Sequence, residues 1–145
     1  MANGPALAHV KDLRLTLGGA PLFDGAEFVL HKGERAALVG ANGAGKSTLM
    51  RMLAGATESD GGEIAFASGT SVAFAPQEPD LNGFATLRDY AQSPSVMRPG
   101  AALAAAHAAE AALMAFGLDP DRAPVGLSGG ETRRASLARA FAADA

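Results

Sequence analysis

The run Gly40, Ala41, Asn42, Gly43, Ala44, Gly45, Lys46, Ser47 and Thr48 fills every position of the pattern G-x-x-x-x-G-K-[ST]. A phosphate tail carries several negative charges, and a loop encloses it only where successive backbone N–H groups turn inward, a conformation open chiefly to glycine. Gly40, Gly43 and Gly45 supply that freedom. Lys46 brings an ammonium to the β and γ phosphates, and Ser47 brings a hydroxyl able to ligate Mg2+. A second run, Leu127, Ser128, Gly129, Gly130 and Glu131, sets a hydroxyl and exposed backbone N–H groups at a predicted helix start, where an anion is favoured. Gln77 stands between the two. Taken alone, Gln77 reads as a solvated loop residue and the second run as a serine cap.

The elements around these residues must aim them. Val10, Leu13, Leu15 and Leu17 alternate with Lys11, Arg14 and Thr16, which predicts a half-buried strand from His9 to Leu17, blurred at Asp12 and ended by Gly18 and Gly19. A second strand from Ala26 to His31 reaches a turn at Lys32, Gly33 and Glu34, so the opening is predicted antiparallel. The apolar run Arg35 to Val39 is predicted as a strand entering the glycine loop. Leu49, Met50, Met52 and Leu53 then recur at helical spacing up to a stop at Gly55. Gly61 and Gly62 turn the chain into a strand from Glu63 to Ala67. After Gly69, Ser71 to Ala75 is predicted as another, ending at Pro76 and Gln77, before a loop from Glu78 to Gly83. Thr86 to Ala91 predicts a short helix, Pro94, Pro99 and Gly100 break the chain, and Ala101 to Phe116 predicts an alanine-rich helix. Beyond a linker from Gly117 to Pro124, Ser128 caps a last helix on which Leu137 and Phe141 share one face.

Composition limits the classes of function. A chain of 145 residues, 48% hydrophobic and 19% charged, is the size of one globular domain with an ample core. Its net charge of -3 provides no overall basic field for nucleic acid or anionic lipid, so such a partner has to be met locally. The lack of cysteine excludes disulfides and thiolate metal sites. No basic segment followed by an apolar run opens the chain, and no stretch approaches the roughly 20 apolar residues of a membrane span. The expectation is a soluble, cytoplasmic protein without direct membrane insertion.

With Walker A at Gly40 to Ser47, a glutamine loop at Gln77 and a signature at Leu127 to Glu131, in that order, the chain resembles the nucleotide-binding domain of an ABC-type ATPase along essentially its whole length. The resemblance implies an α/β fold: a P-loop NTPase core with an N-terminal antiparallel β subdomain and a small α-helical subdomain, truncated C-terminally. The β subdomain and P-loop core would occupy 1–83, the helical subdomain 84–126, and the signature with its helix 127–145. It implies ATP and Mg2+ as cofactors. Gly40 to Thr48 would bind nucleotide, Lys46 and Gln77 would take part in catalysis, and Ser47 and Gln77 would face the metal. Ser128, Gly129, Gly130 and Glu131 would hold the γ phosphate of nucleotide on a second ABC ATPase domain, in a head-to-tail pair.

The family's Walker B aspartate, neighbouring glutamate and switch histidine lie downstream of the signature helix, and this chain ends about where the Walker B strand would start. Negligible turnover by these 145 residues alone is therefore expected, as is an unpaired edge of the parallel sheet. The family also stacks the adenine on an aromatic near the end of the first strand. Here Phe23 is the nearest ring and is assigned to the core, while Tyr90 lies in the helical part, so GTP is expected to substitute for ATP. Leu15 to Phe23, Pro76 to Asp80, and Glu131 in place of the commoner glutamine are similar to the soluble ABC-F group, which acts on ribosomes. The alternatives are the ATP-binding subunit of an ABC transporter, docked on a membrane permease near Gln77, and a non-hydrolytic nucleotide-binding or regulatory protein. A small P-loop kinase or GTPase shares Walker A, but the run Leu127 to Glu131 argues against both.

Overall fold

The computed structural model describes residues 4–96 and 103–143, which divide between Thr70 and Ser71 into two compact units. The break expected at Pro99 and Gly100, and the first two positions of the helix expected from Ala101, lie outside the described residues. No helix among the described residues is long and apolar enough to cross a membrane.

The first unit is built on strand β1, Ala6–Leu17, paired antiparallel with β2, Ala20–His31, and with β3, Gly61–Phe66, in the order β2-β1-β3. Gly18 and Gly19 both have left-handed backbones (φ 61° and 84°), which is what a two-residue hairpin turn needs to match strand twist. The ladder extends the second strand back to Ala20, well before the expected start at Ala26, because pairing with Leu13 to Leu17 carries Ala20 to Ala26 along. The irregularity at Asp12 is a β-bulge. The register shifts between Val10 and Leu13, and the extra residue keeps Ala8, Val10, Leu13 and Leu15 all buried despite the broken alternation. Asp12 is held at φ 47°, and its carboxylate accepts from Arg14 Nε at 3.1 Å and Nη2 at 3.0 Å. Gly62 makes the bulge possible: a Cβ there would sit 2.2 Å from the Asp12 carbonyl oxygen, and its φ is 85°. Helix α1, Lys46–Leu53, adds Leu49 and Met52 to this core.

Two expected strands do not form. Arg35 to Val39 and Ser71 to Ala75 join no ladder among the described residues, and Val39 is 86% exposed. A strand is an agreement between neighbours, whereas the apolar runs that pointed to these two are purely local.

The second unit packs three helices, α2 (Leu87–Gln92), α3 (Ala106–Ala115) and α4 (Gly129–Ala142), around Leu87, Tyr90, Leu113, Leu118 and a series of alanines. Thr86 caps α2 in a reciprocal box with Asp89. Residues 103–105 are not helical, so α3 starts later than expected: alanine favours helix interiors but marks no boundary, and Ala105 offers no side-chain cap. Its end is well marked. Gly117 (φ 70°) donates to the Met114 carbonyl and Leu118 to that of Leu113, each at 2.9 Å, the paired bonds of a glycine-terminated helix. Leu137 and Phe141 share a face of α4 as expected, but it is the exposed one, with Phe141 at 71%. The buried face consists of Ala135, Ser136, Ala138 and Ala142, small side chains that let α4 approach its neighbours closely.

Candidate nucleotide-binding site

Gly45 is the N-cap of α1 and takes a left-handed conformation, φ 85° and ψ 7°. Only glycine adopts it freely. Space also selects glycine here, because a Cβ would lie 2.8 Å from Phe23 Cζ and 2.9 Å from Leu22 Cγ. The loop therefore rests on two side chains of β2, which are themselves packed against the β-sheet core. Phe23 is thus packed against the core, as expected, and its ring lies against the glycine loop at Gly45. Nothing in the sequence around Leu22 and Phe23 links them to Gly45.

The first helical bond of α1 runs from Leu49 N–H to the Gly45 carbonyl at 2.9 Å, so the N–H groups of Lys46, Ser47 and Thr48 precede the helix's own acceptors. They form the positive end of the helix dipole. Its first turn carries no acidic residue to compete for that end. Lys46 Nζ bonds back across the loop to the carbonyls of Gly40 at 2.8 Å and Ala41 at 2.7 Å, which holds the ammonium on the loop itself. Ser47 is exposed beside it. A hydroxyl there suits Mg2+, a hard cation that binds through few protein oxygens and otherwise through phosphate and water. Such a metal needs no protein cage, and the described residues contain no group of three or more His, Asp or Glu side chains that would form one.

Gln77 and the run Leu127 to Glu131 belong to the other unit. Gln77 lies exposed in a bend after the stretch Ser71 to Ala75, which is not in a strand. Ser128 is the N-cap of α4, with its hydroxyl accepting from Glu131 N–H at 3.2 Å and donating to Glu131 Oε2 at 2.9 Å. Glu131 Oε2 also accepts the Ser128 N–H at 2.8 Å, and Oε1 accepts from Arg122 Nη1 at 2.5 Å. The bond from the Ser128 backbone, the Arg122 guanidinium and the Ser128 hydroxyl together hold the Glu131 carboxyl down to about 2. Gly129 and Gly130 are exposed at this helix start, with open space where a Cβ would stand. Sequence reasoning missed Arg122, which lies in the linker and carries no signal of its partner. Tyr90 is fully buried, with the Arg139 guanidinium 4.5 Å from its ring centroid, so it is not available to stack on a base. Burial pushes its hydroxyl above the ordinary tyrosine range.

Residues 23–145 match the family model described as ABC transporter. The chain is 53% identical over 142 residues to the ATP-binding protein Uup of Caulobacter vibrioides, covering 97% of this chain and 22% of that protein. It is 35% identical over 137 residues to the aliphatic sulfonates import ATP-binding protein SsuB of Corynebacterium glutamicum, covering 92% of this chain and 55% of that one. A solved ATP-binding subunit of an ABC transporter superposes with a TM-score of 0.74 at 25% identity, over 95% of this chain and 62% of that structure. The chain thus spans about a fifth to three fifths of the proteins it matches, and its fold is that of their ATP-binding domains.

Proposed function

Because the chain belongs to the ABC family of ATP-binding domains, we propose that Gly40 to Thr48 bind Mg-ATP and that the complete protein couples ATP hydrolysis to mechanical work. The observation that carries this is the loop on Phe23 and Leu22: a left-handed Gly45, three N–H groups without helical acceptors, and an ammonium held at the same place. Phosphate oxygens would take the N–H groups of Lys46, Ser47 and Thr48. Lys46 would exchange the Gly40 and Ala41 carbonyls for the β and γ phosphates. The Ser47 hydroxyl would hold Mg2+ there, and the ion would supply neutralisation of phosphate charge. The 1–83, 84–126 and 127–145 division belongs to the same reading, with the signature serving the nucleotide of a second domain.

Likeness to Uup across 97% of the chain favours a soluble protein of the ABC-F kind, acting on the ribosome. Likeness to SsuB supports a second reading, the ATP-binding subunit of an importer seated on a membrane permease. Three measurements test these proposals. Lys46→Ala should abolish tight Mg-ATP binding by calorimetry and leave the far-ultraviolet spectrum intact, since its side chain bonds only to exposed carbonyls. Unchanged affinity would refute the site. Co-sedimentation of the intact protein with ribosomes in the presence of a non-hydrolysable ATP analogue supports the first role, and co-purification with a permease supports the second.

A further inference from the structure

Glu131 sits in the first turn of α4, at the end that the function proposed above assigns to a terminal phosphate. A carboxylate is at home there, because it is attracted by the positive end of the helix. For the same reason it opposes a second anion arriving at that end. The two oxygens of Glu131 divide the task. Oε2 holds the Ser128 backbone and hydroxyl, and Oε1 faces Arg122. Arg122 is itself fixed from behind. Its carbonyl accepts the Leu87 N–H at 2.9 Å, and its N–H donates to the Asp119 carbonyl at 3.2 Å. Next to it, Arg88 bridges Glu110 at 2.7 Å and Asp121 at 2.8 Å, tying the linker to α2 and α3. The guanidinium is therefore delivered by the packed helices to one side of the cap.

We propose that Arg122 is a positioning residue for the phosphate-reading end of α4: it neutralises Glu131, so that the carboxylate can hold the Ser128 cap, and with it the helix start, without repelling the incoming γ phosphate. The inference rests on the reading of Ser128 to Glu131 as a phosphate site. It predicts that Arg122 matters only while Glu131 is charged. A structural strut would matter whatever the charge at position 131.

The test uses the intact protein, labelled for energy transfer between this domain and its partner domain and titrated with a non-hydrolysable ATP analogue and Mg2+. Arg122→Gln should raise the concentration for half-maximal closure about fivefold, the scale of one partly exposed charged pair. In a Glu131→Gln background, Arg122→Gln should have no further effect. An unchanged titration for Arg122→Gln, or an equal loss in both backgrounds, overturns the proposal. Ser128→Ala separates the two levels of inference. If it weakens closure while Arg122→Gln does not, only the role of Arg122 falls; if Ser128→Ala closes like the parent protein, the phosphate-site reading falls and takes the proposal with it.

Discussion

Replacing Gly45 by alanine tests the support of the phosphate loop directly. Two penalties combine. Holding an alanine at φ 85° costs roughly 1–2 kcal/mol, the usual difference for an L-residue in the left-handed region. Forcing a methyl group to 2.8 Å from Phe23 Cζ and 2.9 Å from Leu22 Cγ adds roughly 1–3 kcal/mol of overpacking, because both side chains are already packed against the core. Gly45→Ala should therefore destabilise the chain by about 2–5 kcal/mol in urea denaturation and weaken nucleotide binding along with it. The share of the ring can be isolated in a Phe23→Ala background. There only the Leu22 contact and the conformational penalty of about 1–2 kcal/mol remain, so the effect of Gly45→Ala should shrink. The same destabilisation in both backgrounds would show that Phe23 does not support the loop. A destabilisation below about 1 kcal/mol in the parent would refute the left-handed cap as well.

Gly62→Ala would drive a Cβ against the Asp12 carbonyl at 2.2 Å, so β1 and β3 should part at the bulge, with a loss of about 3 kcal/mol or more in the same assay. Thr86→Ala removes the cap of α2 and should cost about 1 kcal/mol, with Thr86→Ser recovering most of it; equal stability of the two variants would deny the capping box. The Glu131 carboxyl is depressed to about 2 from an ordinary value of 4.5, so its contribution is complete above pH 4.5 and lost as the pH falls towards 2. Denaturation curves between those values should flatten for Glu131→Gln, and an acid dependence identical to the parent would show that the carboxylate is not held as described.

The features legible in the sequence are those made by residues close together along the chain. The end of β1 at Gly18 and Gly19, the cap at Ser128, the ends of α1 and α3 at Gly55 and Gly117, and the loop from Gly40 to Thr48 each close through bonds spanning only a few positions. Residue type and spacing are enough to identify such bonds. The start of α3 was obscure for a related reason: an alanine run favours helix throughout and places no cap. What chain-local patterns could not supply depends on partners distant in sequence. Arg35 to Val39 and Ser71 to Ala75 look like strands, but a ladder exists only where another segment accepts its hydrogen bonds. Leu137 and Phe141 share a face that the sequence leaves unassigned, and α4 turns its alanines inward because close helix packing rewards small side chains against Leu87, Tyr90 and Leu113. Phe23 beneath Gly45, and Arg122 beside Glu131, are likewise set by folding. In both cases the chemistry of a short local motif is completed by a side chain that tertiary packing brings to it.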